Sequence, residues 1–258
     1  MLRHSLSIVG ALATVLFVAA PETRAATSAS PAVTAAVADA SRPDADRQRD
    51  ADRKPADVIA FAGIKSGDRV ADLLPGGGYF TRIFSKVVGP SGVVYAVPPP
   101  PRPNVPAGAP DPAAAVNAIA ADASYKNVRV HSARPTELTT PEPVDVVWTS
   151  LNYHDVHNIP NADIAAFNKS IFNVLKPGGT YIVIDHAAAA GSGGRDTSTL
   201  HRIDPELVKT EVTSVGFVLD GESDALRNVQ DPHTAGVRDA SVKGRTDQLV
   251  LKFRKPAK

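Results

Sequence analysis

The sequence predicts an α/β fold built on a doubly wound, mainly parallel sheet, and three observations carry that prediction. Short apolar runs bounded by turn residues recur along the chain. Segments with apolar residues at helical spacing separate them, and the first run leads straight into three consecutive glycines, Gly76, Gly77 and Gly78. Strands that alternate with helices are joined by crossovers and so run parallel. Glycines between strand and helix allow a tight turn at the carboxyl edge of a sheet, the edge at which open α/β sheets bind ligands.

Seven strands are expected, at residues 70–74, 93–97, 128–131, 144–148, 180–185, 217–219 and 249–253. A short helix is expected over residues 55–61, followed by a turn at Gly63-Ile-Lys-Ser-Gly67. After the glycines, Phe80, Ile83, Phe84 and Val87 mark one helical face. Ile164, Phe167, Ile171 and Val174 mark another, with Asn161 as its predicted cap. Asp204-Pro-Glu opens a third helix, which buries Val208, Val212 and Val215. Residues 98–112 hold eight prolines and are therefore neither helix nor central strand; they form an extended surface loop or a contact beside the ligand edge. The last strand, within Thr246-Asp-Gln-Leu-Val-Leu-Lys-Phe253, reads as structural.

The N-terminal residues predict an address. Arg3 and His4 precede an apolar run over residues 6–20, and Thr23-Arg-Ala25 supplies small residues at the positions a signal peptidase reads. A signal peptide over residues 1–25 is expected, and hence an exported chain, periplasmic or secreted. The run is short for a membrane span, so no stable membrane insertion is expected after cleavage. Residues 26–54 read as a flexible Ala/Ser/Thr-rich tether followed by a segment dense in Arg and Asp. That segment is either a solvated helix or a cap with Arg49 or Arg53 pointing into the site. Residues 55–258 are expected to form one domain.

Composition narrows the function. With 28 basic and 27 acidic residues the net charge is +1, so no basic footprint marks a nucleic-acid partner. No cysteine is present, which removes disulfides, thiolate chemistry and Cys-ligated zinc. The glycines lack the G-x-G-x-x-G spacing of a dinucleotide fold and the Lys-Ser/Thr pair of a phosphate loop. Asp72, at the end of the first strand, can brace the loop or face a cationic ligand group. Beyond the fourth strand, Asn152-Tyr-His-Asp-Val-His157 offers imidazoles beside carboxylates, suited to proton transfer and substrate orientation. Asp185 and His186 end the fifth strand, and a loop with Gly191-Ser-Gly-Gly194, read as a hinge or loop, leads to His201-Arg-Ile-Asp204. In an open sheet these strand ends lie close together, so Asp72, His154, Asp155, Asp185, His186 and His201 are expected to converge. The same residue types suit zinc, iron or copper, with His154 and His157 correctly spaced if their segment is helical; whether a metal is required stays open.

With Val70-Ala-Asp-Leu-Leu-Pro-Gly-Gly-Gly-Tyr-Phe-Thr81 and Leu175-Lys-Pro-Gly-Gly-Thr-Tyr-Ile-Val-Ile-Asp185 taken together, the chain resembles the class I S-adenosylmethionine-dependent methyltransferases. More narrowly, it is similar to an exported, little-characterised group of predicted methyltransferases carrying "PGGGY", "YHD", "DH", "HRID" and "TDQ" signatures. The resemblance implies a Rossmann-like seven-stranded sheet with an antiparallel last strand. It also implies S-adenosylmethionine as cofactor, held by Asp72, Pro75, Gly76, Gly77, Gly78 and Tyr79. A small acceptor would meet His154, Asp155 and His186 as catalytic residues, with Tyr153, Asp185 and His201 around them. One element departs from the pattern: the family places an acid at the end of the second strand for the ribose, whereas here Val93-Val-Tyr-Ala-Val97 runs into Pro98. The alternative is an exported protein that keeps this fold but binds a metal or small ligand without methyl transfer.

Overall fold

A computed structural model describes residues 28–101, 106 and 108–257 of the chain. The predicted signal peptide and part of the proline-rich stretch lie outside the described residues. In chain order the elements are α1 (Pro31–Val37), α2 (Asp44–Arg47), α3 (Asp50–Arg53), α4 (Pro55–Ala62), β1 (Arg69–Leu73), α5 (Tyr79–Val88), β2 (Val93–Val97), α6 (Ala114–Ala121), β3 (Val128–Val130), β4 (Val144–Ser150), α7 (Tyr153–His157), α8 (Ile164–Val174), β5 (Leu175–His186), α9 (Pro205–Ser214), β6 (Val218–Glu222) and β7 (Gln248–Arg254). No described helix is long and apolar enough to cross a membrane.

The strands form one seven-stranded sheet in the order β3-β2-β1-β4-β5-β7-β6. The pairs β1–β2, β1–β4, β2–β3 and β4–β5 are parallel, and β7 runs antiparallel to both β5 and β6. The sequence expectation of a doubly wound sheet with an antiparallel last strand holds. Strand order reverses between β1 and β4, and that switch point is where such sheets open a crevice for ligands.

Alternation along the central strands sorts side chains to two apolar layers, because successive residues of a strand point to opposite faces. Val70, Val146, Trp148, Ile182 and Ile184 join the layer under α1, α4, α5 and α6. Ala71, Leu73, Val147, Tyr181 and Val183 join the layer under α8 and α9. Trp148 is fully buried, its ring 4.7 Å from Phe80 and 5.1 Å from Phe84, both on α5. These contacts fix the helix that follows the glycine loop against the strand that precedes the histidines.

Three local expectations differ. Where the sequence reads as a tether, α1 forms on the Ser30 cap and buries Val33 and Ala36 against the core. Helix α8 is capped by Asp163, whose carboxylate accepts from the Ala166 N–H; Asn161 lies in the preceding turn at φ +58°. Gly191 and Gly193 form no loose hinge, since both donate their N–H groups to the Asp204 carboxylate at 2.7 and 3.2 Å.

Candidate functional site

The carboxyl ends of β1 and β4 carry the two parts of the site, and both strands leave the sheet through strained residues. Leu74 and Leu151 have φ of +55° and +62°, a left-handed conformation uncommon outside glycine. Asn152 ties the two ends together: its amide donates to the carbonyls of Leu73 and Leu74 at 3.4 and 3.2 Å and receives the Thr149 hydroxyl. Backbone strain of this kind persists only where the surroundings over-determine it, and it gathers at ligand-binding edges.

At the first part, the buried Asp72 carboxylate takes the Thr81 hydroxyl at 2.6 Å. Burial pushes its pKa up to about 7, against the opposing effects of Thr81 and the Arg53 charge. Gly76 and Gly77 are exposed, and a Cβ on either would meet nothing within 4 Å, so their backbone is open to solvent beyond the strand end. Gly78 differs. At φ +76° it is buried, and a Cβ there would stand 2.2 Å from the Ile119 side chain of α6.

Helices α2 and α3 cover this part. Arg53 lies over the rings of Tyr79 and Phe80, at 4.4 and 4.8 Å from their centroids, and donates to the Ser150 hydroxyl at 3.1 Å. Burial and the neighbouring Arg49 charge lower its pKa to about 10, which leaves it charged at neutral pH. Tyr79, expected to bind a cofactor, instead donates its hydroxyl to Asp50 at 2.5 Å, and Asp50 also receives two nitrogens of the buried Arg42 at 2.7 and 2.8 Å. Arg82 reaches Asp46 at 3.2 Å and the Gly77 carbonyl at 2.9 Å. The charged segment combines features of both sequence readings: α2 is solvated with Arg47 paired to Asp44 at the surface, and Arg53 of α3 points inward. The cavity left among Arg53, Asp72, Pro75, Tyr79 and Ser150 is about 30 Å³, enough for water but not for an amino-acid-sized group.

At the second part, α7 begins directly after β4. The His154 ring nitrogen Nδ1 lies 2.8 Å from Asp185 Oδ1, and the His154 N–H donates to Asp185 Oδ2 at 2.7 Å. Asp185 is fully buried and also takes the His186 N–H at 2.8 Å. His154 Nε2 faces Asp155 Oδ1 at 3.3 Å, and His201 Nδ1 lies 3.7 Å from the same oxygen. Burial alone would lower the His154 pKa, but hydrogen bonds to Asp155 and Asp185 outweigh it and raise it to about 10. Burial takes His186 the other way, to about 4, and the charges of His154, Arg202 and Arg53 add to that fall. His186 is therefore the neutral imidazole, its Nδ1 2.7 Å from the Thr246 hydroxyl.

Of the six residues expected to converge, His154, Asp155, Asp185, His186 and His201 come together, while Asp72 stays in the first part with Thr81. Tyr153 and His157 do not join them. The Tyr153 side chain is buried against Phe167, with its hydroxyl bonded to Glu211 and Asn168, and His157 Nε2 faces the same Glu211 at 3.1 Å. On a one-turn helix, neighbouring residues point apart, and α7 sends Tyr153 to the core while His154 faces the strand ends. Sequence reasoning missed Arg202, buried and paired with Asp231 at 2.8 and 3.1 Å, which anchors the loop carrying His201. An arginine flanked by a histidine and an apolar residue gives no sign of burial, because its partner lies 29 positions away.

Several solved structures share this architecture. An S-adenosylmethionine-dependent methyltransferase from Aquifex aeolicus superposes with a TM-score of 0.51 at 18% identity, over 79% of this chain and 89% of its own. The arsenic(III) S-adenosylmethionine methyltransferase of Chlamydomonas reinhardtii gives 0.54 at 20% identity, over 88% and 73%. The cyclase SpnF gives 0.55 at 17% identity, over 83% and 82%. No protein-family model and no curated protein sequence matches the chain. At these identities the likeness concerns architecture, and one neighbour is a cyclase, so the activity has to be argued from the site. The chain has the Rossmann-like fold that solved class I S-adenosylmethionine-dependent methyltransferases also have.

Proposed function

We propose that the protein is an S-adenosylmethionine-dependent methyltransferase acting on a small-molecule acceptor. The observation that carries this reading is the exposed glycine turn at Gly76 and Gly77, just beyond the buried Asp72 carboxylate at the sheet's switch point. These residues fit the cofactor's amino-acid end: Asp72 would face its ammonium group, and the Gly76–Gly78 backbone offers close approach without side chains. When bound, the cofactor supplies a methyl group on a positively charged sulfur, already activated for displacement.

The chain's own contribution is then alignment and exclusion of water. Arg53 and Asp72 line the same small cavity, so an amino-acid-sized group enters there only if the α2–α3 segment moves. His154, held from behind by Asp185, presents its Nε2 side to the open face of Asp155 and His201 and positions an acceptor there. His186, held neutral by burial, lines the same face as a hydrogen-bonding imidazole rather than as a base. Export after cleavage near Ala25 belongs to the same reading, and N-terminal sequencing of the purified protein tests it.

Isothermal titration with S-adenosylmethionine, before and after chelation, tests the cofactor assignment. Micromolar binding that survives chelation is expected. Gly77→Val should abolish it with an unchanged far-UV circular dichroism spectrum, because residue 77 has free space around it and no positive φ. Absence of binding by the wild type, or unaltered binding by the variant, refutes the assignment. Two observations favour a second reading, a protein that keeps the fold for another ligand: β2 ends at Val97 with no acid before Pro98, and the cavity that Arg53 and Asp72 share is small. A wild type that binds no S-adenosylmethionine would decide for it.

A further inference from the structure

Among the described residues, His154, Asp155 and His201 form a group whose ligand atoms all lie within 4.8 Å of one another. Ligands 2.0–2.2 Å from a common ion stand about 3 to 3.5 Å apart. His154 Nε2 and Asp155 Oδ1 are at 3.3 Å and His201 Nδ1 and Asp155 Oδ1 at 3.7 Å, so two separations already fall at or near that range. The side chains come from α7 and from the loop before α9, two elements 46 positions apart in the chain.

The supporting residues are those of a ligand set. Asp185, fully buried, holds His154 through Nδ1 and through the backbone N–H, which fixes the ring with Nε2 toward Asp155. A carboxylate behind an imidazole is the usual device for orienting a metal-binding histidine. His201 stands at φ +55°, a conformation that costs a β-substituted residue energy and needs outside support. That support comes from the two residues that follow. Arg202 is fully buried and bonded to Asp231, to the Ala187 carbonyl and to the Ala235 carbonyl. The Ile203 N–H donates to the His186 carbonyl at 3.0 Å. The fold holds this loop in a strained shape, and the result is an imidazole aimed at Asp155. The outer side stays open, since the Asp155 and His201 side chains are 53% and 31% exposed.

We propose that His154 Nε2, the Asp155 carboxylate and a ring nitrogen of His201 bind one divalent first-row transition-metal ion, of the zinc or iron(II) class. Two imidazoles and one carboxylate select such ions over magnesium or calcium, which take oxygen donors. Three protein ligands leave coordination positions free on the exposed side for water or for an oxygen or nitrogen of a substrate. The proposal does not rest on the cofactor assignment, because metal loading is measured without S-adenosylmethionine.

The test uses the chain purified from cells, stripped with a chelator and titrated separately with zinc(II) and cobalt(II). One equivalent per chain is expected by elemental analysis, with cobalt d–d absorption typical of nitrogen ligation and no displacement by millimolar magnesium. His201→Ala and Asp155→Asn, both at partly exposed positions, should each weaken the affinity at least about tenfold with circular dichroism unchanged. His157→Gln lies outside the group and should keep the full equivalent. Failure of the wild type to hold a stoichiometric ion, or unaltered affinity in both ligand variants, overturns the proposal. Loss of the ion in His157→Gln alone would overturn it in favour of the His154–His157 spacing.

Discussion

Asp72→Asn should remove a pH dependence of stability that the wild type carries. In the folded protein the Asp72 pKa is pushed up to about 7 by burial, from an ordinary value of 3.8. The folded state therefore holds a proton that the unfolded chain has already released anywhere between those two values. Stability falls as pH rises through this window, because the folded state binds more protons there. At 1.36 kcal/mol per pKa unit, keeping Asp72 ionised above pH 7 costs about 4 kcal/mol, and about 3 kcal/mol of that develops between pH 5 and pH 8. Asparagine keeps an oxygen for the Thr81 hydroxyl and never ionises. Urea denaturation of both proteins at several pH values isolates the effect, since all other titrating groups are shared. The variant should gain on the wild type by about 3 kcal/mol from pH 5 to pH 8. Parallel curves would refute the argument and would mean that Asp72 is solvated or fully compensated in the folded state.

Two further outcomes follow from the packing. Arg202→Met leaves Asp231 buried without its partner, and should cost about 3 to 5 kcal/mol in the same denaturation assay; an unchanged midpoint would mean that the pair does not hold the His201 loop. Gly78→Ala combines a positive φ with a 2.2 Å approach to Ile119, so it should lower the melting temperature more than Gly77→Ala. Adding Ile119→Ala should recover the steric part but not the backbone part, and full recovery would show that φ +76° carries no cost.

The sheet was legible because its central strands are buried on both faces and read as unbroken apolar runs, while α5 and α8 repeat at helical spacing. Topology alone then brings Asp72, His154, Asp185 and His186 to one edge, since each follows or ends a strand. What the sequence hides depends on long-range partners. Residues 28–40 carry no strong period, and α1 exists because Val33 and Ala36 find the core. Tyr153 looks like a site residue by type, yet its hydroxyl is satisfied by Glu211 and Asn168 inside the protein. Arg202 and Asp231 become a pair only once β5 and the segment before β7 are placed.

Arg53 has a consequence for any binding constant measured at Asp72. A cationic ligand group beside Asp72 competes with the charge of a guanidinium that belongs to the same chain and cannot diffuse away. A competitor on a short tether acts at an effective concentration in the millimolar range, whatever the protein concentration. The apparent affinity is therefore the intrinsic one divided by the strength of this internal rival. Diluting the protein cannot relieve that competition, and only movement of α2 and α3 can.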